Sequence, residues 1–169
     1  MAFPKDFKDL IEIFNQNGVE YLIVGGYAFG VHAEPRATKD LDLFIRADKK
    51  NSTAVWKSLR SFGAPLGDRV PEDFHDGEST VQFGNAPHRI DIIQKIDGVT
   101  FDEAWKARVP AKIDGELPVP VISREHLIQN KRAAGRPRDL NDVAEIENAG
   151  KAIKTKPVLK KKSTKSRGR

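Results

Sequence analysis

The sequence contains no cysteine. That excludes disulfides and thiolate metal sites, and it fits a reducing, cytoplasmic setting. No apolar run approaches the roughly 20 residues that a membrane-crossing helix needs, so no membrane partner is expected. The opening "MAFPKDFKDL" carries acids early and holds no apolar core segment, which argues against a secretion signal. No GK[ST] follows a glycine turn anywhere in the chain, and a Walker-type ATPase is thereby disfavoured. His32, His75, His88 and His126 show no metal-ligand spacing. No internal repeat is visible. Residues 150–169, "GKAIKTKPVLKKKSTKSRGR", lack acids altogether and hold nine Lys and Arg. The remaining residues carry 20 basic against 24 acidic side chains, so a mildly acidic body lies beneath a net charge of +5. A like-charged block of this kind reads as a disordered tail. It either contacts RNA or DNA phosphates or merely keeps the chain in solution.

What is present suits one folded domain over 1–149 with that basic tail, 150–169, attached. Residues 5–17 predict a helix, because Phe7, Leu10, Ile11 and Phe14 recur at helical spacing and Gly18 suits its end,. "EYLIVGG" (20–26) predicts a buried strand running into a glycine turn, and 27–33 a short helix weakened by Gly30,. After a loop over 34–39, "DLDLFI" (40–45) alternates as a strand,. A helix is expected over 49–62, then loop to 78, a β-hairpin from 79–84 and 88–94, and a short helix over 100–108. "LPVPVI" (117–122) is extended, and its two prolines point to a sheet edge,. Ser123 and Gly135 bracket a helix over 124–134,. Asp139 is expected to cap a last helix that turns Leu140, Val143 and Ile146 inward and closes at Gly150. The fold class is therefore α/β (α+β): a small mixed sheet with helices packed on it.

Asp40 and Asp42 are the anomaly. They alternate with Leu41 and Leu43, so both emerge on one face of the strand, their Cα atoms about 6.6 Å apart at roughly 3.3 Å per residue. Two such carboxylates raise each other's pKa unless a cation joins them, and Mg²⁺ accepts this donor type along with phosphate oxygens. Asp91, flanked by Ile90 and Ile92, projects in the same manner. If the strands at 40–45 and 89–94 are neighbours, three carboxylates converge. Such a trio can hold two metal ions roughly 3.5–4 Å apart for phosphoryl or nucleotidyl transfer, with Asp91 a candidate base. Gly25 and Gly26, between a strand and a helix start, offer backbone N–H groups to an anion such as a triphosphate. Each feature taken alone has a plainer reading: a turn, a solvated strand face, a capped helix.

The ordered set consists of an apolar strand, Gly25-Gly26, thirteen residues, and Asp40-Leu41-Asp42-Leu43. It resembles the signature of the nucleotidyltransferase superfamily that includes DNA polymerase beta and the aminoglycoside nucleotidyltransferases. "RATKDLDLF" and "LIQNKRAAGRPRDLNDVAEIE" (127–147) are similar to small bacterial members, among them AbiE-type toxins. The resemblance spans roughly 6–148. It implies an NTP substrate, two Mg²⁺ ions on Asp40, Asp42 and Asp91, and release of pyrophosphate. It also implies phosphate contacts from Gly25, Gly26 and Lys131, with Asp139 supporting the site. One departure is that Gly26 stands where many members carry serine, so a hydroxyl contact to phosphate is lost. Arg36 and Lys39 could reach phosphates or simply line a solvated loop, and Arg136 and Arg138 could bind phosphate or flank a helix start. Lys131 with Arg132 could be a charged helix surface, and Asp139 an N-cap with Asp142 favoured by the helix dipole. The expected activity is transfer of a nucleoside monophosphate to a hydroxyl, with RNA such as a tRNA end or a small molecule such as an aminoglycoside as acceptor, and with an antitoxin as partner if the chain is a toxin. The alternative is a noncatalytic nucleotide- or nucleic-acid-binding module.

Overall fold

A computed structural model describes residues 3–155. In chain order the elements are α1 (Lys5–Gln16), β1 (Tyr21–Val24), α2 (Gly25–His32), β2 (Asp40–Ile45), α3 (Lys49–Phe62), a 3₁₀ turn (Pro71–Phe74), β3 (Thr80–Phe83) and β4 (Arg89–Ile93). They continue with α4 (Phe101–Lys106), β5 (Val109–Ile113), β6 (Leu117–Val121), α5 (Arg124–Ala134) and α6 (Pro137–Thr155). The six strands form one mixed sheet in the order β3-β4-β2-β1-β6-β5. β2 runs antiparallel to β1 and parallel to β4. The fold class read from the sequence is the one found.

Alternation along β2 divides the sheet into two faces. Leu41, Leu43 and Ile45 are fully buried and share their face with register partners Ile90 and Ile92 of β4 and Tyr21 and Ile23 of β1. Helix α1 covers this side with Phe7, Leu10, Ile11 and Phe14, and Phe14 meets the Tyr21 ring edge-on at 5.4 Å. Asp42, Phe44 and Asp91 point the other way, where Phe44 packs on Phe101 of α4 at 5.1 Å. The acidic residues thus lie on the face that the amphipathic pattern leaves to the C-terminal helices.

Four expectations are corrected. Helix α2 starts at Gly25 itself rather than after a glycine turn. An unanticipated strand, β5, takes the sheet edge, so β6 is not the edge. Pro110 faces Pro120 across the β5–β6 pair. Since proline has no N–H to donate, such a pair occupies a non-bonded position of the ladder, and alternation leaves the bonded positions to Ala111 and Val119. Helix α6 starts at Pro137 with Asp139 in its first turn and continues through Gly150. Leu140 is 51% exposed, while Val143 and Ile146 are buried as expected. Most of the basic tail, 156–169, lies outside the described residues.

A single polar side chain fastens α3 to the sheet. Asn51 is buried at 5% exposure. It accepts from Glu20 N at 2.8 Å and donates to Glu20 O and Arg46 O, each at 2.9 Å. Asn51→Ala removes the partner of Glu20 N and Arg46 O, while Glu20 O keeps its bond from Arg46 N at 3.2 Å. The substitution is expected to lower stability by about 2–3 kcal/mol, measured by urea denaturation.

Candidate active site

The parallel pairing of β2 and β4 sets Asp42 directly opposite Asp91, with Asp40 opposite Arg89. Asp40, at the start of β2, is exposed, whereas Asp42 and Asp91 are half-buried. Burial pushes the Asp42 carboxyl up to about 7, and the hydrogen bond and charge of Asp91, then the charge of Asp40, push the same way; Lys131 opposes them. Two carboxylates can share a hydrogen bond only if one of them holds a proton, which is what an elevated Asp42 provides. Asp91 Oδ1 is buried and has no hydrogen-bond partner. The cluster is therefore short of positive charge, and its donors are all carboxylate oxygens, the type that Mg²⁺ takes. Among the described residues, no three His, Cys, Asp or Glu side chains are already gathered as a metal cage, so further ligands would have to come from substrate or water.

The two glycines fit this carboxylate face closely. Gly25 has φ +67°, a left-handed conformation that favours glycine, and a Cβ there would lie 2.1 Å from Asp42 Oδ2,. At Gly26 a Cβ would lie 2.7 Å from Thr38 Cγ2 and 3.0 Å from Thr38 Oγ1. The N-cap of α2 is Val24, which has no side-chain hydrogen bond to give. The first-turn amides of α2, its positive end, thus open beside Asp42 without a side-chain cap.

Helices α5 and α6 supply the opposite wall. Asp142, 2% exposed, accepts from Arg36 Nη1 and Nη2 at 2.7 and 2.9 Å and from Lys131 Nζ at 2.8 Å. Burial pushes the Asp142 carboxyl up, but the hydrogen bonds from Arg36 and Lys131 outweigh it and hold the group below its ordinary range. Asp139, also buried, accepts from Arg136 Nε at 2.7 Å and lies 3.7 Å from Lys131 Nζ. The Arg36 guanidinium lies 4.0 Å from the centroid of the Phe29 ring. Between the walls is a cleft of about 520 Å³.

Ten of the residues weighed as phosphate, nucleotide or metal contacts in the sequence line this one cleft: Gly25, Gly26, Arg36, Lys39, Asp40, Asp42, Lys131, Arg136, Arg138 and Asp139. Asp91 does not line it and sits beside Asp42 on the next strand. Lys131 is 7% exposed and already paired with Asp142, so it is not a solvated helix surface. Two lining residues were underread. Asp142 passed for a helix-dipole acid, although its position three residues after Asp139 places both on one side of a helix turn. Thr38 stood within the quoted "RATKDLDLF" but was given no role there. A second cleft of about 520 Å³, walled by Phe7, Phe62, Phe83 and Pro87, contains none of the residues singled out.

The sequence matches the family described as "Nucleotidyltransferase of unknown function (DUF6036)" over residues 5–151. No curated protein matches it. Among solved structures it resembles the lincosamide antibiotic adenylyltransferase LnuA in its lincomycin-bound form, with TM-score 0.58 and 15% identity over 88% of this chain and 98% of that one. It also resembles the antibiotic-resistance factor ANT(2'')-Ia, with TM-score 0.57 and 15% identity over 88% and 82% of the two chains. A nucleotidyltransferase candidate from Thermotoga maritima gives TM-score 0.54 and 14% identity over 91% and 96%. At these identities the shared property is the fold.

The raised Asp42 has a measurable consequence in the metal-free protein. Its native carboxyl holds a proton more tightly than the unfolded chain does, so its contribution is complete below about pH 4 and is lost as the pH rises through 7,. Asp42→Asn removes that loss and can donate to Asp91. In EDTA it is expected to be more stable than the unaltered protein by about 1–3 kcal/mol at pH 8, with the gain shrinking toward pH 4, as read by thermal melts across the pH range.

Proposed function

Since the chain belongs to the DUF6036 family of nucleotidyltransferases, we propose that it transfers a nucleoside monophosphate from an NTP to the hydroxyl of a small molecule at the cleft between Asp40–Asp42 and Lys131. The observation that carries this reading is the register of Asp42 on Asp91 beside the uncapped start of α2. Triphosphate oxygens would lie against the N–H groups at Gly25 and Gly26, and the remaining N–H groups of Lys131 and those of Arg36 would face them. Asp40, Asp42 and Asp91 would hold one or two Mg²⁺ ions, which when bound would neutralise phosphate charge and acidify the attacking hydroxyl.

The acceptor oxygen attacks the α-phosphorus and forms a new P–O bond. The bond from that phosphorus to the bridging oxygen of the β-phosphate breaks, and its electron pair leaves with pyrophosphate. The hydroxyl proton passes to the Asp42–Asp91 carboxylate pair, in which Asp91, beside Asp42 on the next strand, is the candidate base,. The small-molecule acceptor is supported by two solved neighbours whose descriptions name antibiotics, each aligned over more than four-fifths of both chains.

One observation favours RNA as a second reading, which includes a toxin acting on tRNA ends: the acid-free run of nine Lys and Arg over 150–169. Deletion of 156–169 separates the two, because transfer to RNA would weaken and lose salt dependence while transfer to a small hydroxylated acceptor would not change.

The test incubates the full chain with Mg²⁺ and each α-phosphate-labelled NTP, in the presence of total RNA or of a panel of hydroxylated small molecules. Label transfer with stoichiometric pyrophosphate is expected. Asp91→Asn is expected to slow it by about 10²- to 10⁴-fold, the usual contribution of a general base, while NTP binding persists. Undiminished transfer by both Asp42→Asn and Asp91→Asn would remove the site assignment.

A further inference from the structure

The loop over 34–39 places one hydroxyl at the start of α2. Thr38 is half-buried and lines the cleft beside Gly25, Gly26 and Lys39. Its methyl and hydroxyl lie 2.7 and 3.0 Å from the point where a Cβ on Gly26 would stand. The side chain of residue 38 thus fills the space that a side chain of residue 26 would need. No other hydroxyl lines this cleft among the described residues. Tyr27 points its hydroxyl at the backbone instead, donating to Thr38 O at 3.3 Å, which helps to pin the loop.

We propose that Thr38 Oγ1 is a phosphate-binding hydroxyl of this cleft, supplied by the loop because Gly26 carries no side chain to supply one. The proposal rests on the nucleotidyl-transfer reading and names a further residue for it. At present Oγ1 donates to Arg36 O at 3.1 Å. Rotation about the C–O bond redirects that single proton from a neutral carbonyl to an anionic phosphate oxygen, the stronger acceptor. The neighbouring first-turn amides of α2 carry no side-chain cap, so hydroxyl and amides address one anion together. Gly26 then has a steric role: with any larger residue, the loop carrying Thr38 could not lie against the helix start.

The geometry allows an exchange of the hydroxyl between the two positions. With alanine at 38, the nearest atom to a new Cβ on residue 26 is the Cβ of residue 38, at 3.5 Å, an ordinary contact. Calorimetric titration of the full chain with Mg²⁺ plus inorganic tripolyphosphate, and with Mg²⁺ plus each NTP, supplies the readout. Thr38→Val keeps the shape and removes the hydroxyl. It is expected to raise Kd for both probes roughly tenfold, and Thr38→Ala should do the same. Adding Gly26→Ser to Thr38→Ala is expected to recover most of that loss, while Gly26→Ser alone lowers the melting temperature. Thr38→Val and Thr38→Ala binding both probes as tightly as the unaltered chain would overturn this proposal and leave the transfer reading standing, and failure of the double variant to recover would also overturn it. No binding of either probe by the unaltered chain would overturn both.

Discussion

Two half-buried carboxylates placed opposite each other on adjacent strands, Asp42 and Asp91, set the terms for the rest of the site. A sheet can hold such a pair only at a charge cost, and here the cost is visible in the elevated Asp42 and in the orphaned Asp91 Oδ1. The neighbouring groups respond to it. The positive end of α2 abuts Asp42 so closely that residue 25 cannot have a side chain. Lys131, on a different helix, lowers the Asp42 carboxyl against the trend of its other neighbours. The strands that carry this polar cluster are supported by a large apolar core that includes Leu41, Leu43 and Ile45 on the opposite face.

The wall facing the carboxylates is assembled by a second buried acid. Asp142 draws Arg36 from the loop before β2 and Lys131 from α5 onto α6. Three segments distant in sequence are joined through one side chain. Removing it would leave the buried Lys131 with only the longer contact to Asp139, at 3.7 Å, and breaking a buried pair in this way costs more than the pair itself is favourable,. The loop over 34–39 is consequently held twice: by Arg36 on α6 and by Thr38 against Gly26. Its position over α2 is a property of the tertiary structure rather than of local turn chemistry.

The sequence made β2, α3 and α5 legible because each carries its own punctuation. β2 alternates cleanly, α3 starts at Asp48 and ends at a left-handed Gly63, and α5 is capped by Ser123 and Gly135. The juxtaposition of Asp42 and Asp91 was readable as a condition, since alternation fixed their faces but not which strands were neighbours. β5 was not legible: "VPAKI" is half-exposed along its length and contains a proline. The prolines of β6 did mark weak pairing, but on its inner side, where a single register pair, Ile23 with Val121, joins it to β1. Gly150 was misread because glycine has two uses. It lies within α6 and gives room to Arg124, whose Nη2 would lie 2.5 Å from a Cβ there. Asp142 was underread because its partner Arg36 is 106 positions away, beyond any local pattern.

The cations of the cleft divide into two kinds, and the division bears on how an anion would be held. Arg36, Lys131 and Arg136 are already bound to buried acids. Their orientation is fixed before a ligand arrives, so binding need not order them, but part of their charge is already compensated. Lys39 and Arg138 line the same cleft with no ion-pair partner among the described residues, so they keep their charge and lose rotamer freedom only on contact. A cleft built from fixed donors alone would discriminate geometry well and attract weakly; one built from free cations alone would do the reverse. The fixed set lies on α5, on the link between α5 and α6 and on the pinned part of the loop, facing Asp40 and Asp42, where in-line transfer at phosphorus tolerates little misplacement,. The free set draws an anion in without having to aim it.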